Sequence, residues 1–162
     1  MHSITGWFGA GVVVTSVVLE LPTANWTVAV ARRALFGLLD AAGVPAAVGQ
    51  DLALALSEGC ANAVCHASAG LSYRVRIDLY HSRCRLEIRD QGPGFDPRLV
   101  PVAGRGTDGG RGLLIMRAVV DRVQIDVPRP SGIRVVMVKS WRGPPPARQA
   151  DDRVHDQRAQ IV

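Results

Sequence analysis

Glu58 and Asn62 stand four residues apart in the stretch SEGCANAVCHA, a spacing that places both side chains on one face of a helix. The other faces carry Leu52, Leu56, Ala61 and Val64, so the pair interrupts an otherwise apolar segment. An amide oxygen is a hard ligand of the kind Mg²⁺ takes while keeping several of its waters. A carboxylate beside it can accept a proton from an attacking hydroxyl or water. Together they suit a metal-assisted phosphate site; the competing reading is a solvated helix face with a local hydrogen bond. His66 lies one turn further along the same face, and the free carbonyls and dipole of a helix end account for it there.

Asp90 opens the stretch DQGPGF, directly after Leu86-Glu87-Ile88-Arg89, which reads as a strand. An ionised carboxylate only accepts hydrogen bonds. At the end of a sheet it can take one from the exocyclic amine of adenine and reject guanine, which presents a carbonyl there. Gly92 and Gly94 then let the backbone turn sharply beside a ring. The alternative is an Asp-Gly turn that caps a strand. Further on, TDGGRGLLIM puts Gly109, Gly110 and Gly112 at a helix start, where free backbone N–H groups and the helix dipole favour an anion. Arg111 and Arg105 add positive charge there. GRGTDG at 104–109 also fits a loose G-x-G-x-x-G, but it follows the proline-broken DPRLVPVA rather than a strand, and is set aside as a dinucleotide fingerprint. A P-loop motif is absent.

These residues need a scaffold to converge. Residues 12–21 are Val-rich and read as a first strand. A helix follows, started by Pro22 and Thr23 and stopped by Gly43, with Trp26, Val30, Ala34 and Leu38 at helical spacing. A second helix runs from after Pro45 to about Ala67, and Ser68 to Leu71 turn the chain. SYRVRIDLY and RCRLEIRD alternate cleanly and form a hairpin around His81, Ser82 and Arg83. Residues 91–110 hold six of the 17 glycines and three of the 10 prolines, and read as a long loop. RGLLIMRAVVDRV is a third helix; VQIDV and IRVVMVKSW are two more strands around a turn at Pro128–Gly132. The order is an α+β sandwich, with three helices on one face of a mostly antiparallel sheet. Residues 1–13 are an expected N-terminal extension, 14–141 one domain, and 142–162 a disordered tail poor in large apolar residues.

The 162 residues suffice for one domain with a real core. A net charge of +5 is spread along the chain without a clustered basic stripe, which argues against direct nucleic-acid binding. Eighteen of the 19 basic residues are arginine; Lys139 is the single lysine. The apolar start lacks a basic flank and is ended by Glu20 and Pro22, short of the ~20 apolar residues that a membrane span needs. Cys60, Cys65 and Cys84 lack metal-ligand spacing and read as buried, reduced thiols of a cytoplasmic protein.

Each motif is weak alone, but their order is specific: E-x-x-x-N on a helix, D-x-G-x-G-F after a hairpin, a Gly-rich loop, then G-x-R-G-L at a helix start. SEGCANAVCHA resembles the N box, RDQGPGFDP the G1 box and GGRGLLIMRAVVDRV the G2 box of the GHKL ATPase superfamily, the Bergerat fold. In detail and length the chain resembles the bacterial anti-sigma-factor serine/threonine-protein kinases over about residues 14–140. The resemblance implies ATP and Mg²⁺ as cofactors, with Asn62 as metal ligand and Glu58 as general base toward an acceptor serine. It implies Asp90 at the adenine, Gly92 and Gly94 shaping its pocket, and Gly110, Arg111 and Gly112 at the phosphates under a lid of residues 96–109. It further implies a sigma factor and a STAS-type anti-sigma-factor antagonist as partners, and a homodimer.

The chain departs from the family at Gly132-Ile133, where the family often carries Gly-Thr with the threonine beside adenine. Isoleucine offers no hydroxyl. That favours a second expectation, a fold kept for partner docking with little or no ATP turnover. A histidine-kinase catalytic domain is not expected, because about twenty residues before the first helix are too few for a dimerising helix pair at ~1.5 Å per residue.

Overall fold

The computed structural model describes residues 12–66, 72–91, 111–127 and 132–142. Eight elements follow one another: β1 (Thr15–Pro22), α1 (Trp26–Ala41), α2 (Ala46–His66), β2 (Ser72–Tyr80), β3 (Arg83–Arg89), α3 (Arg111–Val119), β4 (Arg122–Asp126) and β5 (Arg134–Ser140). The strands form one antiparallel sheet in the order β1-β2-β3-β5-β4. β5 therefore inserts between β3 and the earlier β4.

Strand alternation sets the register. Val75, Ile77 and Leu79 of β2 face Ile88, Leu86 and Cys84 of β3, and Leu86 and Ile88 in turn face Met137 and Val135 of β5. All are buried under the helices. A one-residue slip would turn every one of them outward, so burial of this face fixes the pairing. The hairpin turn is only His81 and Ser82, with Arg83 already in β3. α1 ends as its glycine requires: Gly43 takes a positive φ of 65°, its N–H donates to Asp40 O, and Val44 N–H reaches back to Leu39 O.

Four local expectations change. The buried row of α1 is Thr27, Ala31, Leu35 and Leu39, one residue round from the expected row, and Trp26 is 64% exposed. Both rows have helical spacing, and the partner decides: Thr27 Oγ1 shares a hydrogen bond with Tyr73 Oη at 2.8 Å and donates to Ala24 O at 2.6 Å. Those bonds let a polar side chain be buried there. The start of α1 also moves, since Pro22 is the last residue of β1. β1 is an edge strand, where a missing N–H costs no ladder bond. α3 stops at Val119 because Asp121 joins the sheet: its N–H donates to Val138 O, and its Oδ2 accepts from Ser140 N–H at 2.6 Å. Of the cysteines, Cys60 and Cys84 are buried and Cys65 is exposed; burial pushes the Cys60 and Cys84 thiols up to about 12.

The sheet's other face carries charge. Asp78, only 3% exposed, accepts from Ser16 Oγ at 2.7 Å, Arg76 Nε at 2.8 Å and Arg85 Nη1 at 3.0 Å. Glu87 accepts from Arg134 Nη2 at 2.9 Å and pairs with Arg85. Burial alone raises the Glu87 carboxyl, but the Arg134 and Arg85 guanidiniums outweigh it and hold the group down to about 2. No helix among the described residues is long and apolar enough to cross a membrane. The expected extension 1–13 and tail 142–162 lie almost wholly outside the described residues, as do the loop glycines.

Candidate active site

α2 delivers Glu58 and Asn62 half-buried, facing the first turn of α3. A Cβ on Gly112 would stand 3.0 Å from Glu58 Oε2 and 3.5 Å from both amide atoms of Asn62. The helix start and the acid-amide pair are thus brought together, and only a glycine leaves the space between them open. Arg111, beside it, is exposed at the first position of α3. Among the described residues neither Glu58 nor Asn62 has a hydrogen-bond or ion-pair partner.

α3 runs back along α2. Its far end is held by Lys139 of β5, whose Nζ donates to Val119 O at 2.7 Å and to Asp51 Oδ2 at 2.8 Å. One ammonium caps the last carbonyl of α3 and ties it to the first turns of α2. α2 itself lies close on the sheet at Gly59, where a Cβ would fall 2.3 Å from Ile88 Cδ1 and 3.4 Å from Met137 Cε. Gly59 is adjacent to Glu58, and Ile88 is two residues before Asp90, so this contact sets how the two acidic positions sit relative to each other.

Asp90 is half-buried and shares the parity of Leu86 and Ile88, whose side chains point to the helix-covered face. Its N–H donates to Ile133 O at 3.0 Å, and its Oδ1 accepts from the Ile133 N–H at 3.1 Å. Gly132 makes this possible. It has a positive φ of 100°, and a Cβ there would stand 2.5 Å from Asp90 O. The Ile133 side chain itself is buried in the core.

Gly92, Gly94, Arg105, Gly109 and Gly110 lie outside the described residues. His66 is exposed in the last turn of α2. Three contributors were not singled out from the sequence as site residues: Gly59, the Ile133 amide and Lys139. A glycine inside a helix costs about 1 kcal/mol against alanine, and that penalty at position 59 was the available signal of a close approach. The Ile133 amide leaves no mark in a side-chain pattern.

Mg²⁺ commonly takes only one or two protein ligands beside substrate phosphates and water. Among the described residues no group of three or more His, Cys, Asp or Glu could cage a metal. The single amide oxygen of Asn62, next to a carboxylate and an open glycine cradle, fits that mode of binding.

The sequence pattern of the histidine kinase-like ATPase domain matches residues 21–139. The chain belongs to this family. It is 30% identical over 136 residues to the serine-protein kinase RsbW of Bacillus pumilus, covering 75% of this chain and 83% of that protein. Against the RsbW of Bacillus licheniformis it is 30% identical over 135 residues, with the same coverage. Against that of Bacillus subtilis it is 28% identical over 138 residues, covering 77% of this chain and 85% of that protein. Within the ATPase family the chain therefore stands with the serine-protein kinases. A crystal structure of the RsbU and RsbW domains of a Mycobacterium tuberculosis protein superposes with a TM-score of 0.60 at 19% identity, over 83% of this chain and 33% of that one. It shares the fold, and the expected two-layer sandwich of the family is the one this chain adopts.

Proposed function

We propose that this kinase transfers the γ-phosphoryl group of ATP to a serine hydroxyl on a STAS-type anti-sigma-factor antagonist, and that it also binds a sigma factor. The observation that carries the reading is the placement of Glu58 and Asn62 against the glycine that opens α3. Glu58 accepts the proton of the attacking serine as its oxygen bonds to phosphorus and the bond to the ADP oxygen breaks. Asn62 offers its amide oxygen to Mg²⁺, which when bound would neutralise charge on the phosphates. Backbone N–H groups at the start of α3, with Arg111 beside them, face the phosphates. Asp90 accepts from the adenine amine. Gly92, Gly94, Gly109, Gly110 and Arg105 complete the pocket in this reading, and the protein acts as a homodimer in the cytoplasm.

The test is phosphotransfer from labelled ATP to a purified antagonist, with calorimetry of MgATP in parallel. The parent transfers phosphate. Glu58→Gln binds MgATP with similar affinity but transfers at least ~100-fold more slowly, as loss of a general base requires. Ile133 favours the second reading, docking without turnover. A parent protein that binds the antagonist and transfers nothing at any ATP concentration establishes that reading instead.

A further inference from the structure

The reading of Asp90 as the adenine contact leaves open what aims its carboxylate. In the family pattern a threonine follows the glycine near the last strand; here position 133 is isoleucine, and its side chain is packed in the core. The backbone at this position bonds to Asp90. Ile133 N–H donates to Asp90 Oδ1 at 3.1 Å, while Asp90 N–H donates to Ile133 O at 3.0 Å. The two bonds form a closed ring that grips Asp90 at both its amide and its carboxylate. Those two bonds restrict the torsions of Asp90, and an ionised carboxylate has more acceptor lone pairs than the Ile133 N–H uses.

We infer that the Gly132–Ile133 backbone is the device that sets base specificity in this protein, by orienting Asp90 toward a purine amine without help from the residue-133 side chain. The inference rests on the ATP reading above. Gly132 is the residue that cannot change. Its φ of 100° is strained for any L side chain, and a Cβ would meet the Asp90 carbonyl oxygen at 2.5 Å. That obstacle is backbone, which cannot rotate aside, so Asp90 itself would have to move. A displaced carboxylate loses its preference for a 6-amino purine over a 6-oxo purine. The 6-oxo ring sets a carbonyl against the carboxylate, two acceptors with no proton between them.

The experiment measures MgATP and MgITP affinities by calorimetry for the parent, Gly132→Ala and Ile133→Thr, with circular dichroism to confirm folding. The parent prefers ATP. In Gly132→Ala the ATP-over-ITP ratio falls at least ~10-fold, because a polar group aimed at a substrate donor is what discriminates analogues lacking it. In Ile133→Thr, which keeps the amide, the ratio stays within about threefold of the parent. A merely structural role for Gly132 would weaken both nucleotides together and leave the ratio alone. A folded Gly132→Ala with the parental ratio overturns the inference. So does an Ile133→Thr variant whose ratio rises ~10-fold, since the side chain would then be the determinant. If Gly132→Ala does not fold, the Ile133→Thr ratio decides alone. A parent that binds neither nucleotide removes the ATP reading itself, an outcome distinct from either of these.

Discussion

Gly112 contributes by what it lacks. The missing Cβ leaves the Glu58 carboxylate and the Asn62 amide uncovered where α3 begins. A methyl group there would stand 3.0 Å from Glu58 Oε2, closer than ordinary carbon–oxygen contact, and the carboxylate would have to swing away. With Glu58 as the proposed base, Gly112→Ala is expected to lower phosphotransfer about 10- to 100-fold, the range for a catalytic group displaced by up to about 1 Å. The melting temperature should move little, because alanine suits a helix. Steady-state transfer rates beside a thermal melt check both halves. Glu58, Asn62 and Asp90 were legible as candidates because acids and amides interrupting apolar patterns are visible in a sequence. The Ile133 amide was not, because every residue but proline carries one.

At the scale of elements, two contacts hold α2 and α3 where the site needs them. Gly59 lets α2 settle onto β3. Gly59→Ala gains helix propensity of about 1 kcal/mol but forces Ile88 Cδ1 to move, and overpacking of this kind costs about 1–3 kcal/mol. The single substitution should be destabilising by about 1 kcal/mol in urea unfolding. In an Ile88→Val background, which removes the obstructing methyl, Gly59→Ala should become stabilising. A double-mutant cycle should show a coupling of about 1–2 kcal/mol. Lys139 holds the other end. Lys139→Met removes the bonds to Val119 O and Asp51 and should cost about 1–2 kcal/mol in the same assay. The element order was readable from alternation and from Gly43. The buried row of α1 was not, because that helix is apolar over much of its circumference and the Tyr73 hydroxyl, 46 residues away, selects Thr27's side.

At the scale of the whole sheet, the face turned away from the described helices is stitched by charge. Ser16, Asp78, Arg85, Glu87, Arg134 and Asp126 link all five strands in one run of hydrogen bonds and ion pairs. Glu87 is its centre. Its carboxyl lies near 4.5 when unfolded and at about 2 when folded, so its contribution is fully present above about pH 4.5 and is lost as pH falls through about 2. Melting temperatures recorded from pH 7 to pH 2 should therefore fall more steeply below pH 4.5 for the parent than for Glu87→Gln. Equal slopes would remove Glu87 from the acid response.

The sequence by itself determined the α+β class, the hairpin and the end of α1, and offered the acidic and amide residues of the candidate site. Each of these depends on local pattern: two-residue alternation, helical spacing, or a glycine at a required positive φ. The tertiary structure alone decided which face of α1 is buried, that α3 opens against Glu58 and Asn62, and that a backbone amide grips Asp90. Those are contacts between residues far apart in the chain. The pattern shows which side chains each element offers; the distances between elements are set by packing, through single contacts such as Gly59 on Ile88 and Gly132 on Asp90.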